Sequence, residues 1–153
     1  MRMKETYTRE EAAEQVRKVG RMFGLMFYHF AKLLVEEHGE QRGRELVKEA
    51  VRRFGLERAG DMKQKTIALG LNPTIENFKK VSDLPDVGWG GHSRESHCPF
   101  AGVWFEKSAV DLCKLYCEVD VWKYVGYNSN IDVKRKAWVL EVDRDCRYEI
   151  TEK

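Results

Sequence analysis

The chain has 153 residues, 42% of them apolar and 34% charged, with 27 Lys and Arg against 25 Asp and Glu. That length suits one domain able to bury about two-thirds of its unfolded surface, and a net charge of +2 creates no field that calls for a nucleic-acid partner. No apolar run approaches the ~20 residues that cross a bilayer and no signal-peptide core follows the basic residues of the amino terminus, so a cytoplasmic protein with reduced thiols and no membrane partner is expected.

Thr8 and Glu11 have the spacing of a capping box, in which hydroxyl and carboxylate each satisfy an otherwise orphaned backbone donor. Ala12, Val16, Val19, Phe23, Met26, Phe27, Phe30, Leu33 and Leu34 then recur at helical spacing up to Gly39, which supplies a stop. For three turns this helix is apolar nearly all round. That places it centrally and predicts a homo-oligomer, because a lone monomer has no way to cover so many sides. A second helix starts near Glu40 with Leu46, Val47, Ala50, Val51 and Phe54 on one stripe. Gly55 and Gly60 either break it or merely weaken it, the period resumes over 62–69, and Gly70 and Pro73 end the helical half.

Thr74 caps a short helix running to about Val81, although Asn77 stands where a full capping box would have Glu or Gln. Residues 85–92 are glycine-rich around Trp89 and read as a turn or an irregular strand entry. Ser108 with Asp111 repeats the capping signal ahead of Val110, Leu112, Leu115, Tyr116 and Val119, predicting a helix of two to three turns. Residues 131–141 and 147–151 are strand-like, with Asp143-Arg144-Asp145 as the hairpin turn between them. Helices first, then a small antiparallel sheet with one embedded helix, make an α+β domain over 1–153.

All four cysteines come late, at Cys98, Cys113, Cys117 and Cys146. Cysteine is kept either as a small buried apolar group or for its reactivity, so chemistry is sought in this third of the chain. Cys113, Cys117 and Asp120 lie at i, i+4 and i+7, which a continuing helix would align on one face. Thiolate and carboxylate so placed can bind a metal or set a nucleophile beside an acid/base group. The competing reading puts Cys113 in the core with Val110 and Leu112. His97 and Cys98 point to opposite faces of an extended segment and do not easily share one ion. Pro99 biases Cys98 towards extended backbone, a place from which a thiol can face a cleft. There is no set of paired zinc knuckles; a divalent metal on Cys98, Cys117, Asp120 and Cys146 requires those four to converge in space.

His92 follows Gly90-Gly91, where glycine permits close backbone approach to a ligand, and Trp89 beside it could wall an apolar pocket. His29 reads as a core or boundary residue of the first helix, and His38 as a partner of that helix's dipole. Arg52-Arg53 and Lys134-Arg135-Lys136 read as solvated faces. The phosphate-loop, nucleophile-elbow and His-Glu-x-x-His motifs do not occur.

Cys98-Pro99, Trp104, the run Leu115-Tyr116-Cys117-Glu118-Val119-Asp120, then Gly126-Tyr127-Asn128 and Asp143-Arg144-Asp145-Cys146-Arg147-Tyr148 come in one order. That order resembles the L-2-amino-thiazoline-4-carboxylic acid hydrolase family. Ser129 stands where the family pattern has proline and Val142 where it has glycine. The resemblance implies hydrolysis of a carbon–nitrogen bond in a small cyclic substrate, opening a thiazoline ring. It casts Cys98 or Cys117 as nucleophile and Asp120 or His97 as proton carrier. Alternatively, a divalent metal on the cysteines and Asp120 activates water. Arg94 is placed to meet the substrate carboxylate, with Trp89, His92 and Asn128 around it. The rival expectations are a non-catalytic small-molecule or metal-binding sensor module, similar to the vinyl-reductase-type binding domains and lined by the cysteines, and a redox or metal-handling protein that uses its thiols directly.

Overall fold

The first capping box forms as spaced: the Thr8 hydroxyl accepts from the Glu11 amide at 3.2 Å, and Glu11 Oε2 accepts from the Thr8 amide at 2.8 Å. Helix α1 (Arg9–His38) follows and stops at Gly39, whose φ of 80° favours glycine. Helix α2 (Glu40–Ala68) leaves from the same residue. These elements belong to a computed structural model that describes residues 6–85, 87–89, 98–141 and 146–153. Downstream lie α3 (Ile75–Lys80), α4 (Pro99–Glu106), α5 (Val110–Cys113), a 3-10 segment (Lys114–Glu118) and α6 (Val119–Tyr127). Strands β1 (Ile131–Ala137) and β2 (Arg147–Glu152) pair antiparallel, from Ile131 opposite Glu152 to Ala137 opposite Arg147, with an irregularity between Arg135 and Ala137. The architecture is mostly helical α+β. No described helix is long and apolar enough to cross a membrane.

Glycines set how closely the helices approach. Gly55 does not break α2; it lets α6 lie against it, since a Cβ there would sit 2.7 Å from Trp122 Cβ and 2.9 Å from the Val119 carbonyl oxygen. Gly126 answers from α6, facing Leu56 and Ala59. Gly43 holds the α1–α2 corner, where a Cβ would lie 2.6 Å from Leu34 O and hard against the Val35 backbone. Gly60 has nothing within 4 Å of such a Cβ. Gly60→Ala is therefore expected to raise stability by about 0.5–1 kcal/mol through helix propensity. Gly43→Ala should lower it by about 1–3 kcal/mol, because backbone rather than a flexible side chain must move. Urea denaturation of the two variants checks the opposite signs.

Two predicted elements come out differently. Ser108 does not cap: it adopts φ 51° and its amide bonds to Phe105 O, closing α4, while Asp111 is held by Arg44 and Lys114. What reads as one helix is α5, the 3-10 segment and α6 in succession, and it runs on to Tyr127. The first strand ends at Ala137 rather than at 141, because Trp138 to Glu141 turn, Glu141 N bonding to Trp138 O at 3.0 Å. The predicted turn at Asp143 lies outside the described residues.

Three apolar clusters make the core. One joins α2, α3, α6 and β1 through Met62, Phe78, Tyr127 and Ile131, with Phe78 and Tyr124 stacked at 4.1 Å. Thr66 donates to Met62 O at 2.9 Å and lies 2.8 Å from Tyr127 Oη, so Tyr127 donates to it and neither buried hydroxyl is orphaned. Charge is buried here too. Asp83 accepts from Arg58 Nε at 2.6 Å and NH2 at 3.0 Å, and from Lys123 Nζ at 3.2 Å, with Lys123 only 3% exposed. Burial works against the Asp83 carboxylate, but the two cations outweigh it and hold its pKa below the ordinary value.

Candidate functional site

Pro99 occupies the first position of α4, where its fixed φ suits a helix start and its missing N–H is no loss. Cys98 is thereby the residue at the helix mouth, half-buried. Its sulfur makes no capping hydrogen bond, yet the nearby amides of Ala101 and Phe100 favour the thiolate. Burial outweighs them, and Cys146 and Asp120 add to the rise, so the thiol sits above its ordinary pKa. Small residues of α1 fix the mouth in place. Gly20 lies against Pro99 and Trp89, Gly24 faces the Phe100 backbone, and Trp104 Nε1 donates to Gly24 O at 3.1 Å. Trp89 meets Phe100 edge-on at 5.1 Å, at the same end of α4 as Cys98.

The 3-10 segment decides where the other thiols go. At three residues per turn it breaks the alignment expected for Cys113, Cys117 and Asp120. Cys113 turns into the core, fully buried, and burial pushes its thiol up to about 12. Cys117 is also pushed up to about 12 by burial, with Trp138 pulling the other way and Cys98 and Cys146 adding to the rise. Cys146 and Asp120 thus bear electrostatically on Cys98, and Cys98 and Cys146 on Cys117. None of the four cysteines is in a disulfide.

The sheet supplies the remaining groups. Arg135 faces Tyr148 across the strand pair. Its guanidinium donates to Cys117 O at 3.0 Å and Glu118 Oε1 at 3.1 Å, and lies 4.2 Å above the Trp138 ring. Burial acts against its charge, but Tyr148 and Glu118 prevail and hold it protonated. Its Nε is buried without a hydrogen-bond partner among the described residues. Tyr148 donates to Asp120 Oδ2 at 3.3 Å, and burial raises its own pKa. Arg135, read from sequence as part of a solvated Lys-Arg-Lys run, is the correction. Strand alternation carries the signal that finds it: 133, 135 and 137 share the inner face, whereas Lys134 and Lys136 are exposed. Tyr148 and Trp138 carry no such mark.

Other candidates fall elsewhere. Asn128 is at the opposite end of the sheet, its amide donating to Pro73 O at 2.9 Å and Glu152 Oε1 at 2.8 Å while its oxygen accepts from Asn130 N. His29 is exposed on α1 beside the Tyr28 ring rather than in the core. His92, Arg94, His97 and Asp143 lie outside the described residues. Among the described residues no group of three or more His, Cys, Asp or Glu is close enough to hold a metal ion.

Alkylation of Cys98 by iodoacetamide, read site by site by mass spectrometry, is expected to show a midpoint above that of a free thiol, because the raised pKa delays thiolate formation. A midpoint at or below the free-thiol value contradicts this.

The family model described as L-2-amino-thiazoline-4-carboxylic acid hydrolase matches residues 19–150. No curated protein and no solved structure matches the chain.

Proposed function

We propose a ring-opening hydrolase, because the chain belongs to the L-2-amino-thiazoline-4-carboxylic acid hydrolase family and holds a cysteine at a helix mouth beside an acid and a cation. The substrate is a small thiazoline carrying an amidine-like ring carbon and a carboxylate. The observation that carries the reading is Cys98 at the amino end of α4, in the neighbourhood of Cys117, Cys146 and Asp120. The Ala101 and Phe100 amides offset part of the burial that disfavours a thiolate there, and substrate is attacked as the proton leaves.

The Cys98 sulfur adds to the ring carbon bonded to both sulfur and nitrogen. The ring carbon–nitrogen bond breaks and the departing nitrogen takes a proton. Water then replaces the Cys98 sulfur on that carbon and the thiol is restored, so one water is consumed overall. The Tyr148–Asp120 pair is the proton carrier within reach of the cluster. Arg135, whose Nε has no hydrogen-bond partner among the described residues, receives the substrate carboxylate, a role expected from sequence of Arg94. Cys117, more strongly held as a thiol, lines the site rather than attacks.

The test is turnover of 2-amino-thiazoline-4-carboxylate by the purified chain, following loss of thiazoline absorbance and release of one amine per ring. Stoichiometric amine release supports the reading. No turnover between about pH 6 and 10, the span that covers thiol ionisation, overturns it.

A further inference from the structure

Helix α1 is inverted relative to an ordinary surface helix. Its fully buried positions are small (Ala13, Gly20, Gly24 and Ala31), and beside Phe27, Tyr28 and Leu34, which pack inward, a second set of large apolar side chains faces outward. Val19 is 50% exposed, Phe23 52%, Met26 50%, Phe30 61% and Leu33 51%. With Val16, these residues follow one another at alternating spacings of three and four. That is a heptad seam, the pattern by which one helix receives the knobs of another. A surface stripe with a merely generic apolar bias has no reason to keep this spacing over five turns.

From the seam we infer that α1 pairs with α1 of a second copy of this chain, antiparallel, about a two-fold axis passing between Gly24 and Leu25. In that register Val16 meets Leu33 of the partner subunit, Val19 meets Phe30 of the partner subunit, and Phe23 meets Met26 of the partner subunit. Each seam position faces another seam position and none is left over. Two of the three layers set a valine against a larger side chain, so their widths stay even. A parallel pair would instead stack Phe23 on its own copy and Val19 on its own copy, alternating wide and narrow layers.

A second copy is the occupant that the surface describes, because the seam is complementary to itself, as a two-fold interface must be. The area agrees. Side chains of these sizes at these exposures present roughly 600 Å² of apolar surface, at the upper limit of what monomers leave open. It is also most of the roughly 800 Å² that each partner of a stable complex buries. Met22, 70% exposed, lies on the flank and extends the patch.

Sedimentation equilibrium of the full chain tests the pairing. The parent is expected to be a dimer at micromolar concentration. Val19→Glu and Phe30→Lys, made singly, should each raise the dissociation constant by at least about 30-fold, with helical circular dichroism unchanged because both side chains are exposed. Combined in one chain, V19E and F30K face each other across the antiparallel pair and should recover at least about tenfold of the loss. Residues 19 and 30 are too far apart on one helix to pair within a chain. A monomeric parent, or single variants that remain fully dimeric, overturns the interface. Loss of dimer without recovery in the double variant overturns the antiparallel register.

Discussion

Cys98→Ala is expected to lower the ring-opening rate by at least about a thousandfold, the scale on which removal of a nucleophile acts. Stability should hardly change. The sulfur makes no capping bond and is only half-buried, so its loss removes little packing. Cys113→Ala is the converse control. That thiol is fully buried among Phe100, Val103 and Trp104, so the variant should keep the rate of the parent and lose about 1–3 kcal/mol of stability. Steady-state rates and urea denaturation on both variants separate the two roles. A Cys98→Ala enzyme that works at the parent's rate removes the nucleophile from the proposal and leaves water activation in its place.

Asp83→Ala is expected to cost about 3–5 kcal/mol, the penalty of leaving a buried charge without its counter-ion. Lys123 is the charge stranded: at 3% exposure it has no route to water, and its one carboxylate partner is Asp83 among the described residues. Arg58 loses two hydrogen bonds in the same stroke. The sign with pH follows from the depressed pKa of Asp83. Its stabilisation is fully present above the ordinary carboxylate pKa and is lost as pH falls through the lower folded-state value. Parent and variant should therefore differ most near neutral pH and converge in acid, which urea titrations at several pH values would reveal. A difference that persists unchanged below about pH 2 would show that packing, not charge, sets the cost.

Local signals were legible in the sequence and long-range ones were not. Thr8 and Glu11 satisfy each other within four residues, so their spacing alone identifies the start of α1. Ser108 and Asp111 have the same spacing and fail, because Arg44, 67 residues away in sequence, takes the aspartate. Arg58 comes from α2, Lys123 from α6 and Asp83 from the loop after α3, and nothing local marks a lysine that is to be buried. Order and spacing point to Cys98, Cys117, Asp120 and Cys146 as a candidate cluster, but the helix expected to align Cys113, Cys117 and Asp120 is interrupted by the 3-10 segment. The change of helical pitch that separates Cys113 from the residues after it is announced by no residue between 114 and 118. Arg135 is the intermediate case: strand alternation points it inward, but its two lysine neighbours conceal it.

The small inner face of α1 has a mechanical consequence. Where Gly24 meets Phe100, backbone rests almost on backbone, while Gly20 rests on the Pro99 ring and Trp89, and the Trp104 bond to Gly24 O ties the same contact. The stiff proline ring and the Phe100 backbone leave such a joint little room to absorb a displacement, so a shift of α1 is expected to carry the start of α4, and with it Cys98, along.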